Sequence, residues 1–117
     1  MNVSRGDVVL VDYPFSDQTG SKVRPALVVQ TDVFNRRIDD TILAAIGSAM
    51  HRSTESRLYI DIATSEGATT GLRQNSMVQC ENLLTYDRRL LIAKLGQLSD
   101  SQMREVDSRL KFTLDVK

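Results

Sequence analysis

Arg24, set against Pro25 and the apolar run Ala26-Leu27-Val28-Val29, is the residue of this chain best suited to chemistry. Proline is tolerated as the first residue of a strand, where no ladder donor is needed, and it drives the residue before it into extended backbone. The pattern predicts a strand from Arg24 to about Gln30, with a planar, permanently charged guanidinium at the sheet's rim. Such a fork fits two-point contact with a phosphate. Lys22 stands just before it. Arg36, Arg37, Arg52 and Arg57 follow, against Asp32, Asp39, Asp40 and Glu55. This mild cationic bias becomes a site only if the loops carrying it converge.

The remaining reactive side chains are few. His51 is the only histidine, the side-chain type most often used for proton transfer near neutral pH, and its polar surroundings predict a surface loop. Cys80 is the only cysteine, which excludes an internal disulfide, and its apolar neighbours predict a buried thiol. No Cys, His or carboxylate cluster has metal-ligand spacing, and no glycine-rich phosphate loop is present, so no metal or other cofactor is expected. Fifteen basic residues balance fifteen acidic ones, which argues against a nonspecific coat on nucleic acid. Nothing approaches the roughly 18 apolar residues of a membrane span, and no signal-like segment opens the chain; a cytoplasmic protein without a membrane partner is expected.

The elements that must position these groups are mostly short strands. At 117 residues, with no repeat, linker or composition break, residues 1–117 read as a single domain able to bury one core. Asp7 to Tyr13 is β-branched and predicts a first strand, stopped by Pro14; Ser16 to Ser21 is a polar loop. Thr41 to Ile46 predicts a third strand, and Leu58 to Ile62 alternates as a half-buried strand does. Gly67 to Gly71 reads as a loop and Ser76 to Cys80 as a strand. Leu83 to Tyr86 and Leu90 to Ile92 read as strand fragments around a turn at Asp87-Arg88-Arg89, the second also compatible with a helical turn. Only the C-terminus is convincingly helical: Ser99 and Gln102 fit a capping box, and Met103, Val106 and Leu110, with Phe112 and Leu114 beyond, form an apolar stripe. Short strands followed by one helix predict a mainly β protein, a small and strongly bent barrel.

Three segments resemble the MazF/PemK (Kid) family of bacterial toxins. Arg5-Gly6-Asp7-Val8-Val9-Leu10-Val11-Asp12 is similar to its opening strand, and Gly20-Ser21-Lys22-Val23-Arg24-Pro25-Ala26-Leu27-Val28-Val29 to its Arg-Pro motif. The tail from Leu83 to Leu90, then Leu95-Gly96-Gln97-Leu98-Ser99 and the last helix, matches in order and spacing. The resemblance implies an SH3-like barrel with a C-terminal helix, shared with CcdB, MazF and Kid. It implies a homodimer, metal-independent and sequence-selective cleavage of single-stranded mRNA, and inhibition by an acidic antitoxin protein.

Cleavage without a metal would use the RNA's own 2′-hydroxyl as nucleophile, which needs a base, an acid for the leaving oxygen, and cationic donors. By resemblance Arg24 is the charge stabiliser. The family's hydroxyl residue at the end of the third strand is replaced here by Gly47, leaving Ser48 as the catalytic candidate if the strand ends at Gly47. Glu81 matches the family's acidic position, and Gln79 replaces an arginine there; a neutral amide cannot be a general acid but can hydrogen-bond RNA. Lys22, Arg36, Arg37 and Arg52 are candidates for phosphate contact and guanidinium stacking, and Phe15 for a base-stacking platform, with Phe34 a second possibility. Two alternatives stay open: a gyrase inhibitor of the CcdB kind, disfavoured by the ending Leu114-Asp115-Val116-Lys117, and a catalytically weakened RNA- or antitoxin-binding member, favoured by Gly47 and Gln79.

Overall fold

The computed structural model describes residues 1–117 apart from Phe15, Ser16, Gln18, Ala49 and Met50. Its frame is a six-stranded, curled antiparallel sheet: β1 (Asp7–Pro14), β2 (Ser21–Val28), β3 (Asp40–Ser48), β4 (Arg57–Ile60), β5 (Ser76–Asp87) and β6 (Ala93–Gln97). The strands lie in the order β4-β5-β3-β2-β1-β6. Among the described residues three α-helices complete it: α1 (Asp32–Asn35), α2 (Ser65–Ala68) and α3 (Asp100–Leu114). The mainly β fold with a C-terminal helix agrees with the expectation from sequence.

Period-two alternation builds two apolar clusters, one on each face. Val8, Leu27, Ala44, Ile46, Val78 and Cys80 face one way and pack with Leu98 and Val106 beneath α3. Val9, Val11, Ala26, Val28, Leu43 and Ala45 face the other and pack with Leu84, Tyr86 and Leu91. Each fully buried Leu or Ile among them stabilises the fold by about 1.5–3 kcal/mol.

Local chemistry explains where several elements start and stop. Ser99 accepts from the Gln102 backbone N–H at 3.0 Å while the Gln102 side chain accepts from Ser99 N at 2.9 Å, the reciprocal capping box expected for α3. Arg5 ties three elements together: its backbone N–H donates to Asp32 at 2.7 Å, and its guanidinium reaches Val29 O at 2.8 Å and Asp107 of α3 at 2.7 Å. Gln30, Asn35 and Thr41 form a buried, mutually hydrogen-bonded group that fixes α1 against the start of β3.

Several boundaries differ from the sequence reading. β1 includes Pro14, and β2 begins at Ser21, so Arg24-Pro25 lies within the strand rather than at its start. Proline is accommodated because pairing with β3 begins only at Ala26, which leaves that edge of β2 free beside Pro25. Ser76 to Asp87 is one strand, bent where its register against β3 shifts between Ala44 and Ala45. The segments around Val33 and Gly67 form single helical turns, both N-capped by threonine; at Gly67 a loop was expected. Leu90 to Ile92 is not a strand: Arg88–Leu90 form a 3₁₀ turn, and β6 begins only at Ala93, where pairing with β1 starts. Phe112 and Leu114 are not part of the buried stripe: they are 60% and 58% exposed at the end of α3.

Candidate functional site

The sheet divides at one place. β2 and β3 pair at Ala26↔Ala45, Leu27↔Ala44 and Val28↔Leu43, and the ladder stops there. Beyond Ala26, β2 stays paired with β1 as far as Pro14↔Ser21, while β3 stays paired with β5 as far as Ser48↔Ser76. Two antiparallel ribbons therefore part from a common root. Extending the register by one full repeat sets Arg24 across the parting from Gly47.

Alternation decides what faces this parting. Arg24 shares a side with Ala26 and Val28, and Gly47 shares it with Ala45 and Leu43. Lys22, paired with Tyr13, lies on that side as well and is exposed. Arg24 is half-buried and makes no ion pair among the described residues. Its charge is instead felt by Tyr13: burial pushes the phenol pKa up, and the nearby guanidinium pulls part of that rise back.

Gln79 enters the same space from β5. It pairs with Ala45 and so points to the same face. Its amide nitrogen would clash with a β-carbon on Gly47, and its Cδ lies 3.5 Å from that point. The Gln79 carbonyl oxygen accepts from Asn82 Nδ2 at 3.3 Å, and Asn82 Oδ1 accepts from the Tyr13 hydroxyl at 2.8 Å. Asn82 and Tyr13 were not among the candidates from sequence. Only the bend in β5 brings them into line, and no spacing in the chain signals it.

Glu81 sits on the far side of Gln79 from Arg24. Gln79 pairs with Arg57 of β4, and Arg57 holds the Glu81 carboxylate through Nε at 3.0 Å and through its terminal nitrogen at 2.8 Å. Ser56 donates to the other oxygen at 2.8 Å. Burial pushes the Glu81 pKa up, but the hydrogen bonds from Arg57 and Ser56 outweigh it, and the net shift is downward. To take up a proton, this carboxylate would have to leave Arg57.

Ser48 needs a correction. β3 runs through Ser48 rather than ending at Gly47, so Ser48 falls on the face of Ala44 and Ile46, opposite to Arg24. Arg36 and Arg37 also do not converge with Arg24. They follow α1 near Asp40, at the opposite end of β3 from Gly47, about 23 Å away at roughly 3.3 Å per residue. Arg52 and His51 are exposed on the segment after β3, at the Gly47 end. The stacking role expected of Phe15 falls outside the described residues. Phe34 is 50% exposed on α1, with Arg36 and Arg37.

Comparisons with known proteins agree with this architecture. Residues 4–114 match the family model described as PemK-like, MazF-like toxin of type II toxin–antitoxin system. Endoribonuclease EndoA of Bacillus subtilis (strain 168) is 33% identical over 115 residues, covering 97% of this chain and 96% of that protein. Solved structures share the fold. A mycobacterial endoribonuclease in complex with its cognate antitoxin superposes with a TM-score of 0.78 at 20% identity, covering 98% of this chain and 97% of that one. The Mycobacterium tuberculosis toxin MazF-mt6 gives 0.73 at 23%, covering 97% and 99%. A MazE–MazF structure from Deinococcus radiodurans gives 0.74 at 16%, covering 100% and 99%.

Proposed function

This chain belongs to the PemK-like, MazF-like toxins of type II toxin–antitoxin systems, and we propose that it is an endoribonuclease acting where β2 and β3 part, with Arg24 as the central cation. The substrate is single-stranded RNA, because the 2′-oxygen must swing into line with the departing 5′-oxygen, and a base-paired A-form helix holds it out of line. The reaction is metal-independent. The 2′-oxygen bonds to the adjacent phosphorus as its proton leaves, the bond from phosphorus to the 5′-oxygen breaks, and that oxygen takes up a proton. Negative charge on the non-bridging oxygens rises along this path, and a guanidinium stabilises it with two parallel N–H donors.

One observation carries this reading: Arg24 is half-exposed, without a carboxylate partner among the described residues, at the point where the ladder opens. A charge left unpaired at such a place is poised for an anion. Lys22 on the same face and Arg52 on the loop after β3 extend the grip along the RNA backbone. Glu81 contributes as a base only in competition with Arg57. Ser48, Arg36 and Arg37 touch RNA only if its path leaves this face.

The partners follow from the same surface. An acidic antitoxin segment would satisfy Arg24 and Lys22 and exclude RNA by occupying the parting, and the relatives solved with an antitoxin or as MazE–MazF fit that picture. A homodimer would extend the RNA-binding surface across two copies, and a sedimentation mass of one chain at micromolar concentration would refute it. For the activity, a long single-stranded RNA is incubated with the protein and EDTA and the new ends are mapped. Discrete cleavage that Arg24→Ala abolishes is expected. Absence of cleavage, or cleavage indifferent to Arg24→Ala, would sink the reading. A second reading, an RNA-binding member that does not cut, is favoured by Gly47 and would show as Arg24-dependent binding without new ends.

A further inference from the structure

The bonding sense of the Tyr13–Asn82–Gln79 chain carries more than its position. Each amide has one donor end and one acceptor end, so a linear chain of them must run in one direction. The Tyr13 hydroxyl donates to Asn82 Oδ1, which turns Asn82 Nδ2 toward Gln79 and consumes the Gln79 carbonyl. The Gln79 NH₂ group is thereby the end that projects over Gly47, and no described residue accepts from it.

The reversed chain, with Asn82 donating to Tyr13 and accepting from Gln79, would present a carbonyl, not a donor, above Gly47.

We infer that Gln79 supplies the neutral phosphate-binding donor that a side chain at position 47 would otherwise provide, and that Asn82 and Tyr13 are positioning residues that aim it. The inference rests on the endoribonuclease reading of the Arg24 parting. Gln79 donates to a non-bridging oxygen beside Arg24 and moves no proton. Gly47 is then the residue that makes room: any larger side chain there would displace the amide.

A double-mutant cycle tests this on the whole protein, reading kcat and KM for a short single-stranded RNA in EDTA. Gln79→Ala is expected to lower kcat about 10²-fold. Asn82→Ala, which releases the Gln79 carbonyl, and Tyr13→Phe, which removes the bond that orients Asn82, are expected to lower kcat by about threefold to tenfold with little change in KM. In the Gln79→Ala background the same two substitutions are expected to have no further effect, because their only route to the phosphate is gone. A merely structural role would reduce activity equally in both backgrounds, and that result overturns the inference. Full activity of Gln79→Ala beside an inactive Arg24→Ala also overturns it while sparing the reading it rests on. Indifference of cleavage to Arg24→Ala would remove both.

Discussion

Gln79 and Gly47 compete for one space: the Gln79 amide nitrogen sits too close to tolerate the β-carbon of any other residue at position 47 without moving. The backbone there is ordinary strand, so a side chain at 47 meets no conformational strain, only the far end of a flexible neighbour. Gly47→Thr therefore exchanges donors instead of simply adding one. In otherwise unchanged protein the cleavage rate is expected to stay within about tenfold. In the Gln79→Ala background, where the space is open, Gly47→Thr is expected to recover at least about tenfold of the lost rate. Initial rates on one oligoribonucleotide across the four proteins check both statements.

Arg24 offers a test of geometry against charge. Arg24→Lys keeps a cation on β2 but replaces the planar fork with a point charge on a flexible stem. A rate loss of about 10²-fold is expected for lysine and about 10³-fold or more for alanine, mostly in kcat. Equal rates for Arg24→Lys and the parent would mean that charge alone suffices.

The fold was legible in sequence wherever a local rule decides structure. β-branched and apolar runs marked the strands apart from β6, Ser99 and Gln102 marked the start of α3, and the motif around Arg24 marked the residue that the open parting exposes. What stayed hidden depends on contacts distant in sequence. Strand ends are set by partners: β3 continues through Ser48 because β5 pairs it to Ser76, and this turns Ser48 away from Arg24. The bridge from Arg57 to Glu81 and the alignment of Tyr13, Asn82 and Gln79 arise from register and from the bend in β5. Arg36 and Arg37, near Arg24 in sequence, end up at the far end of β3 because an antiparallel return carries the chain away from the parting and back.

Glu81→Gln separates a general base from a structural ion pair. Both Glu81 oxygens are engaged, and the hydrogen bonds from Arg57 and Ser56 hold the carboxylate ionised and below its usual pKa, a poor setting for proton uptake. Glutamine keeps the shape and one acceptor. The rate is expected to fall by less than about tenfold, far less than for Arg24→Ala. A loss of about 10³-fold, together with disappearance of the acidic limb of the pH–rate profile, would make Glu81 the base.

Acid should unfold this protein through a small set of hydrogen-bonded carboxylates. Arg89 donates side-chain and backbone hydrogen bonds to Asp87 and holds its pKa down to about 2. The Arg5 backbone N–H lowers that of Asp32, and the bonds to Arg57 and Ser56 lower that of Glu81. Each folded-state pKa lies below its unfolded value, so each contribution is fully present above the ordinary carboxylate range and is lost as pH falls through the folded pKa. The melting temperature is expected to be flat near neutrality and to drop between about pH 4.5 and pH 2. Asp87→Asn isolates one member: its melting temperature should lie below the parent's at pH 7, and the gap should narrow as pH approaches 2, where the parent's Asp87 is itself half protonated. A gap that stays constant across that window would assign the cost of Asp87→Asn to the changed cap of the 3₁₀ turn rather than to the charge.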